Sequence, residues 1–266
     1  MRRRSTVVPF QWPRRVDDVA ECEFYHTIDL PGFGTQNGQW DLRGGVDDYL
    51  GHQDFAGKRV VDVGTGSGFL CFEMEKRGAD VIAFDFDGNL VDQQHDLIPY
   101  HDFEERFQTT YDEFFRKLLH GLDRMKNSFW MTHWLLGSRA RVLYGDIYDP
   151  PGTETFGEVD YAFFGSVLLH LQNPLQALAG FASLAREKTI ITECAINEVD
   201  DDNPVAYLAI DDSDKQNFAT WWRFTPGFFR TFLRGLGYRN FEVRFHDQSW
   251  AGEKREVRHF TIVAER

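Results

Sequence analysis

Cysteine is scarce. Only three, Cys22, Cys71 and Cys194, stand in 266 residues. They are widely separated and form no C-x-x-C pair, which excludes a disulfide framework and a zinc-ligand spacing, fits a reducing cytosol and predicts a cytoplasmic protein. No cluster with metal-ligand spacing is visible either. Long apolar runs are missing: none approaches the roughly 18 residues that cross a membrane. The basic start Met1 to Arg4 lacks the apolar stretch of a secretory signal, so no membrane partner is expected. Positive charge is in deficit. Against 42 Asp and Glu stand 29 Lys and Arg, a net charge of −13, which argues against a nucleic-acid partner, because such binding neutralises phosphates with Lys and Arg. No repeat of fixed period appears.

What is present is a chain with enough apolar residues, 42%, for one sizeable core plus insertions. Aromatics reach 15%, enough to line a pocket as well as fill a core. The organising stretch is Arg59 to Leu70. Arg59 to Val63 is β-branched and apolar and predicts a buried strand. Gly64, Gly66 and Gly68 follow at alternate positions. Phe69 to Arg77 then has helical spacing, and Gly78 stops it. Strand, glycine turn and helix make the first unit of a nucleotide-binding α/β fold, with backbone N–H groups free at the helix start. A dinucleotide turn needs its third glycine where Phe69 stands, and no G-K-[ST] follows for a phosphate loop. The pattern D-x-G-x-G-x-G, with Asp62 inside the strand and Thr65 in the turn, resembles motif I of the class I S-adenosylmethionine (SAM)-dependent methyltransferases. The resemblance implies SAM as cofactor, its methionine end held by Asp62, Gly64, Thr65, Gly66 and Gly68.

Before this unit, residues 1–24 read as an arm that crosses the surface or stays mobile. Tyr25 to Arg43 is rich in glycine, aromatic and hydrogen-bonding residues and reads either as a lid over the site or as a solvated loop with Trp40 tucked into the core. A short helix is expected from about Gly45 to Gly51. After the first helix, Ala79 to Asp85 predicts a second strand. Asp85 ends it 19 residues after Gly66, near the spacing of a carboxylate that takes both ribose hydroxyls, and Phe86 is placed to pack on adenine. The 55 residues to the next strand exceed one crossover. A helical insertion at about 91–126, amphipathic from Phe103 to Leu122, and a separate crossover helix at Asn127 to Leu136 are expected; the insertion reads as a cap on the site, a dimer contact or an ordinary surface helix. Further strands are expected at Arg141 to Tyr148, Glu158 to Phe164 and Lys188 to Glu193, and a helix at Leu175 to Ala185. Cys194 to Asn217 reads as a solvated acidic loop or, alternatively, as a contact for a cationic substrate. Thr225 and Pro226 start a last helix, and Phe241 to Phe245 with Arg258 to Ala264 form an antiparallel pair.

Placed together, residues 55–266 resemble the class I methyltransferases: a seven-stranded Rossmann-like α/β sheet with helices on both faces, preceded by an arm and lid at 1–54. The resemblance implies that Asp146 and the backbone of Ile147 meet adenine, that Gly165 and Ser166 border the reacting centre, and that His170 is a candidate base. Tyr25, His26, Trp40, Trp221 and Trp222 are candidate substrate walls. The segments His26 to Trp40, Ser166 to His170 and Trp221 to Pro226 further resemble the branch of the tRNA wobble-uridine carboxymethyltransferase. That branch holds a carboxylated SAM with an arginine just after its histidine; here Leu171-Gln172 follows. The expected function is methyl transfer from SAM to oxygen or nitrogen of a small molecule. A tRNA-modifying enzyme and a SAM-binding protein without turnover remain the alternatives, and a homodimer is possible.

Overall fold

The computed structural model of the chain describes residues 9–87, 97–196, 200–210 and 217–266. In chain order, the hairpin of β1 (Ile28–Leu30) and β2 (Gly34–Gln36) precedes the edge strand β3 (Trp40–Asp41) and the single turn α1 (Val46–Tyr49). Then come β4 (Arg59–Val63), α2 (Phe69–Lys76), β5 (Asp80–Phe86), α3 (Phe103–Phe107), α4 (Tyr111–Leu136) and β6 (Arg141–Gly145). α5 (Thr153–Phe156), β7 (Val159–Gly165), α6 (Pro174–Leu184) and β8 (Ala185–Cys194) continue the core. The ribbon of β9 (Ala206–Leu208) and β10 (Trp222–Phe224), helix α7 (Pro226–Gly235), and the pair β11 (Asn240–Trp250) and β12 (Arg255–Glu265) complete it.

The main sheet runs β3-β11-β12-β8-β7-β4-β5-β6. Strands β6, β5, β4, β7 and β8 are parallel, and β12, β11 and β3 are added antiparallel. This is the expected seven-stranded fold with one extra two-residue strand, which exists because Trp40 and Asp41 pair with Trp250 and Ser249. The chain winds outwards in both directions from β4, so the carboxyl ends of β4 and β7 flank the switch point where α/β sheets bind ligands. Both faces of the sheet are covered, and β4 and β7 are accordingly apolar almost throughout. One core layer lies under α2 and α4 and contains Phe69, Phe72, Phe129 and Trp130. The other lies under α6 and α7 and contains Phe164, Phe181, Phe229 and Phe260.

Most elements fall where the sequence places them. β4 keeps its expected bounds, and Gly78 leaves α2 with φ of 93°. Thr225 caps α7, its hydroxyl accepting from Phe228 N at 3.3 Å. The insertion is a correction. No crossover helix starts at Asn127; α4 runs unbroken through it, and the break falls earlier, at left-handed Gln108. Thr110 is the cap, accepting from Glu113 N at 3.3 Å. Asn127 instead turns outward and donates to Glu21 O at 2.9 Å. The start of the insertion and the acidic residues Asp211, Asp212 and Asp214 lie outside the described residues. The expected acidic loop contains β9, which pairs with β10.

Candidate active site

The turn after β4 uses positive φ at Gly64 (79°), Gly66 (55°) and Gly68 (90°). Space excludes side chains at two of them. A Cβ at Gly64 would lie 2.7 Å from Val167, and one at Gly68 would lie 2.6 Å from the Phe129 ring. The alternate glycines therefore let the exit of β7 and helix α4 close on the turn. Asp62 braces it from inside: it is 2% exposed and accepts from the Thr65 hydroxyl at 2.7 Å. Burial, with the nearby charge of Asp85 adding to it, pushes the Asp62 carboxyl up to about 7. Asp85 reaches across from β5, its Oδ2 accepting from Gly66 N and its Oδ1 from Phe86 N, each at 2.7 Å. Burial raises its pKa against the pull of the Lys126 charge. A carboxylate has about four acceptor positions, so both oxygens keep capacity for vicinal hydroxyls.

Beside Asp85 opens a cavity of about 400 Å³ whose walls include Phe86, Lys126, Trp130 and Tyr144. The Lys126 ammonium lies 4.5 Å from the Tyr144 ring centre and 5.9 Å from that of Phe86. Trp130 donates to the Tyr144 hydroxyl at 3.2 Å. The N-terminal arm closes the outer side with Gln11 and Trp12. Asp146 follows β6, and its Oδ1 accepts from Tyr148 N at 2.7 Å. It is thus a turn former with one carboxylate oxygen to spare, next to half-buried Ile147.

On the other side of the switch point, Gly165 and Ser166 leave β7. A Cβ at Gly165 would lie 2.8 Å from Leu70. Ser166 has φ of 52°, a conformation that costs energy in a non-glycine residue and marks functional turns. It is held there: its N–H and hydroxyl donate to Thr192 O at 2.8 and 3.1 Å, and the Tyr49 hydroxyl donates to its Oγ at 3.1 Å. One 3-10 turn, Leu168–His170, follows. Leu168 N and Leu169 N donate to Glu193 Oε1 at 3.0 and 3.3 Å. Glu193 is 1% exposed, and its Oε2 has no hydrogen-bond partner among the described residues. Burial pushes this carboxyl up to about 8. His170 Nδ1 lies 3.1 Å from Ala219 O. A carbonyl only accepts, so Nδ1 carries the hydrogen and Nε2 is left with its lone pair. Burial lowers the His170 pKa, and the Arg223 charge lowers it further despite that hydrogen bond. The neutral ring is the form that takes up a proton.

The lid segment is tied to the glycine turn. Ser67, 2% exposed within the turn, accepts from the backbone N–H groups of Tyr25 and His26 at 3.2 and 3.4 Å. Gly38 allows the strand crossing, since a Cβ there would fall 2.4 Å from the His26 backbone. His26 is buried, its Nδ1 has no hydrogen-bond partner among the described residues, and burial lowers its pKa to about 3. Burial raises the Tyr25 hydroxyl to about 12. Trp40 is in the core, edge-on to Trp250 at 4.6 Å and to His259 at 5.2 Å. Trp221 N donates to Leu169 O at 2.9 Å, and the Trp222 indole donates to Leu171 O at 3.0 Å, so both brace the turn of His170. Ile98 N bonds Phe218 O at 2.9 Å and Phe114 packs on Phe218 at 5.3 Å, which carries the insertion over to this same segment.

The structure thus gathers Asp62, Gly64, Thr65, Gly66, Gly68, Asp85 and Phe86 on one side of the switch point, and Gly165, Ser166 and His170 on the other. Sequence reasoning missed Ser67, Lys126, Glu193 and Arg223. Ser67 sits inside the glycine pattern and was legible there as a small polar residue. The others carry no local signal, because each is brought in from a distant element.

A family model described as a methyltransferase domain matches residues 41–243. The magnesium-protoporphyrin O-methyltransferase of Rhodobacter capsulatus is 44% identical over 46 residues, 17% of this chain and 20% of that protein, so the match spans a fifth of its length. The crystal structure of the N-terminal domain of EvdMO1 with S-adenosylhomocysteine bound is 11% identical, covers 91% of both chains and superposes with a TM-score of 0.55. The crystal structure of magnesium protoporphyrin IX methyltransferase from Synechocystis PCC 6803 with bound SAM is 14% identical, covers 84% of this chain and 77% of that one, and has a TM-score of 0.47. No helix of the described residues is long and apolar enough to cross a membrane, and no metal-holding cluster occurs among them.

Proposed function

This chain belongs to the methyltransferase-domain family, and from that premise we propose that it is a SAM-dependent enzyme that methylates an oxygen or nitrogen of a small molecule. One observation carries the reading: Asp85 is bonded to the glycine turn through Gly66 N at 2.7 Å, while the turn of His170 is fixed across the same switch point. The first half fits the cofactor. Asp62 and Thr65 shape the turn for the methionine end, Asp85 keeps acceptor capacity for the ribose hydroxyls, and Phe86, Asp146 and Ile147 border the adenine. SAM supplies an electrophilic methyl group when bound. The protein's task is then to align the acceptor and exclude water.

The second half fits the acceptor. Gly165 and Ser166 border the transfer point, and Nε2 of His170 is free to take the acceptor proton. Tyr25 and His26 wall the cleft from the lid with Trp40 behind them, and Trp221 and Trp222 wall it from the start of β10 and the residue before it. We read the arm and lid at 1–54 as the cover of a domain at 55–266, with the insertion as a cap. The comparisons do not support the narrower likeness to the wobble-uridine branch, and the net charge of −13 argues against a tRNA substrate.

Calorimetric titration with SAM and S-adenosylhomocysteine, with NAD as comparator, tests the cofactor half. Saturable binding of both sulfur compounds and none of NAD is expected. A methyl-acceptor screen of small alcohols, acids and amines, read by S-adenosylhomocysteine release, tests the acceptor half. Binding without release on any acceptor would leave a SAM-binding protein.

A further inference from the structure

Arg223 is a half-buried cation whose side chain has no partner among the described residues. It lies in the middle of β10, opposite Tyr207 of β9. Among the described residues it makes no ion pair, hydrogen bond or ring contact, whereas its neighbour Arg230 pairs with Asp202 at 2.7 Å. Its charge is nonetheless felt by four groups on three other elements. It favours ionisation of Glu193 and Cys194 at the end of β8, and it opposes protonation of His170 after β7 and of His259 on β12. The strand that carries it lies against the turn of His170, on the acceptor side of the switch point: just before β10, Trp221 N donates to Leu169 O at 2.9 Å. The flanking indole of Trp222 is anchored to Leu171 O at 3.0 Å, so β10 is held rigidly against the turn of His170.

A partly buried cation has lost hydration that an anion must replace. Glu193, whose carboxyl burial pushes up to about 8, makes no ion pair with it among the described residues and directs one oxygen to Leu168 N and Leu169 N. What remains is a planar, five-donor fork, a geometry suited to a carboxylate. We propose that Arg223 anchors a carboxylate group of the acceptor, so that the enzyme's substrates are small organic acids held by their charge beside Ser166 and His170. This rests on the reading of the cleft as a methyl-acceptor site and narrows its substrate class.

The test uses the full chain saturated with S-adenosylhomocysteine, titrated calorimetrically with matched acid and amide pairs: acetate and acetamide, benzoate and benzamide, cinnamate and cinnamamide. Acetate is small enough to enter any cleft that admits a substrate. At least one acid is expected to bind about tenfold or more tighter than its amide. The preference should vanish in Arg223→Met and return in part in Arg223→Lys, which keeps the charge but not the fork. Equal affinity for acid and amide in the wild-type protein overturns the proposal without recourse to a variant. So does a preference that survives in Arg223→Met, or the absence of acid binding up to about 10 mM. If the wild-type protein fails to bind S-adenosylhomocysteine, the functional reading fails first and the proposal with it.

Discussion

Replacing Glu193 by Gln should change how the stability of this protein depends on pH. The folded carboxyl is raised from 4.5 to about 8, because it is 1% exposed and its ionised form loses water that Leu168 N and Leu169 N only partly replace. A folded pKa above the unfolded one means that the native state binds the proton more tightly. Its contribution is therefore fully present below about pH 4.5 and is lost as pH rises towards 8, with no further change above. At about 1.4 kcal/mol per unit, the span is at most about 5 kcal/mol. Gln keeps the shape and an oxygen for the two N–H groups, and it has no proton to lose. Urea unfolding followed by tryptophan fluorescence at about pH 5, 7 and 9 should then show Glu193→Gln gaining several kcal/mol on the wild type between the first and last pH, with unchanged m-values. Parallel curves for the two proteins would refute the reasoning. They would mean that Glu193 is already ionised at neutral pH and stabilised by its bonds to the turn.

Three further outcomes are expected. Asp85→Ala should weaken S-adenosylhomocysteine binding by about tenfold or more, since it removes a charged acceptor that also fixes Gly66 N; calorimetry measures it. Ser67→Ala should cost about 1–3 kcal/mol by leaving the N–H groups of Tyr25 and His26 without an acceptor, read as a lower Tm and faster proteolysis of the arm. Once an acceptor is found, His170→Asn should lower kcat by about 10²- to 10⁴-fold while S-adenosylhomocysteine still binds normally. A loss of cofactor binding in that variant would instead make His170 a structural residue.

The parallel half of the fold was legible because local chemistry dictates it. Val60, Val61 and Val63 are buried on both faces of the sheet, and three alternate glycines with positive φ admit few other turns. The placing of Asp85 was legible for the same reason: it stands one residue before the end of a strand whose length is set by its apolar run. The break in the insertion was misplaced because Asn127 looks like a cap in sequence, while Thr110 is the cap in space; the arm that recruits Asn127 lies over a hundred residues away. Glu193, Lys126 and Arg223 were missed on similar grounds. A charge on a strand end or helix face reads as solvated until the fold shows what covers it.

The margins of the sheet have a consequence for how two copies of this chain can meet. At one margin the arm lies along β6, where Gln11 N bonds Val142 O at 2.8 Å. At the other, β11 is paired by β3 only at Ser249 and Trp250, and the rest of its rim carries Glu242, Arg244 and Asp247, the first two paired with each other. One border is occupied by the chain's own backbone and the other is guarded by charge, two devices that discourage strand-to-strand stacking into fibres. Association between copies is thereby steered away from sheet extension and towards side chains on the helical faces.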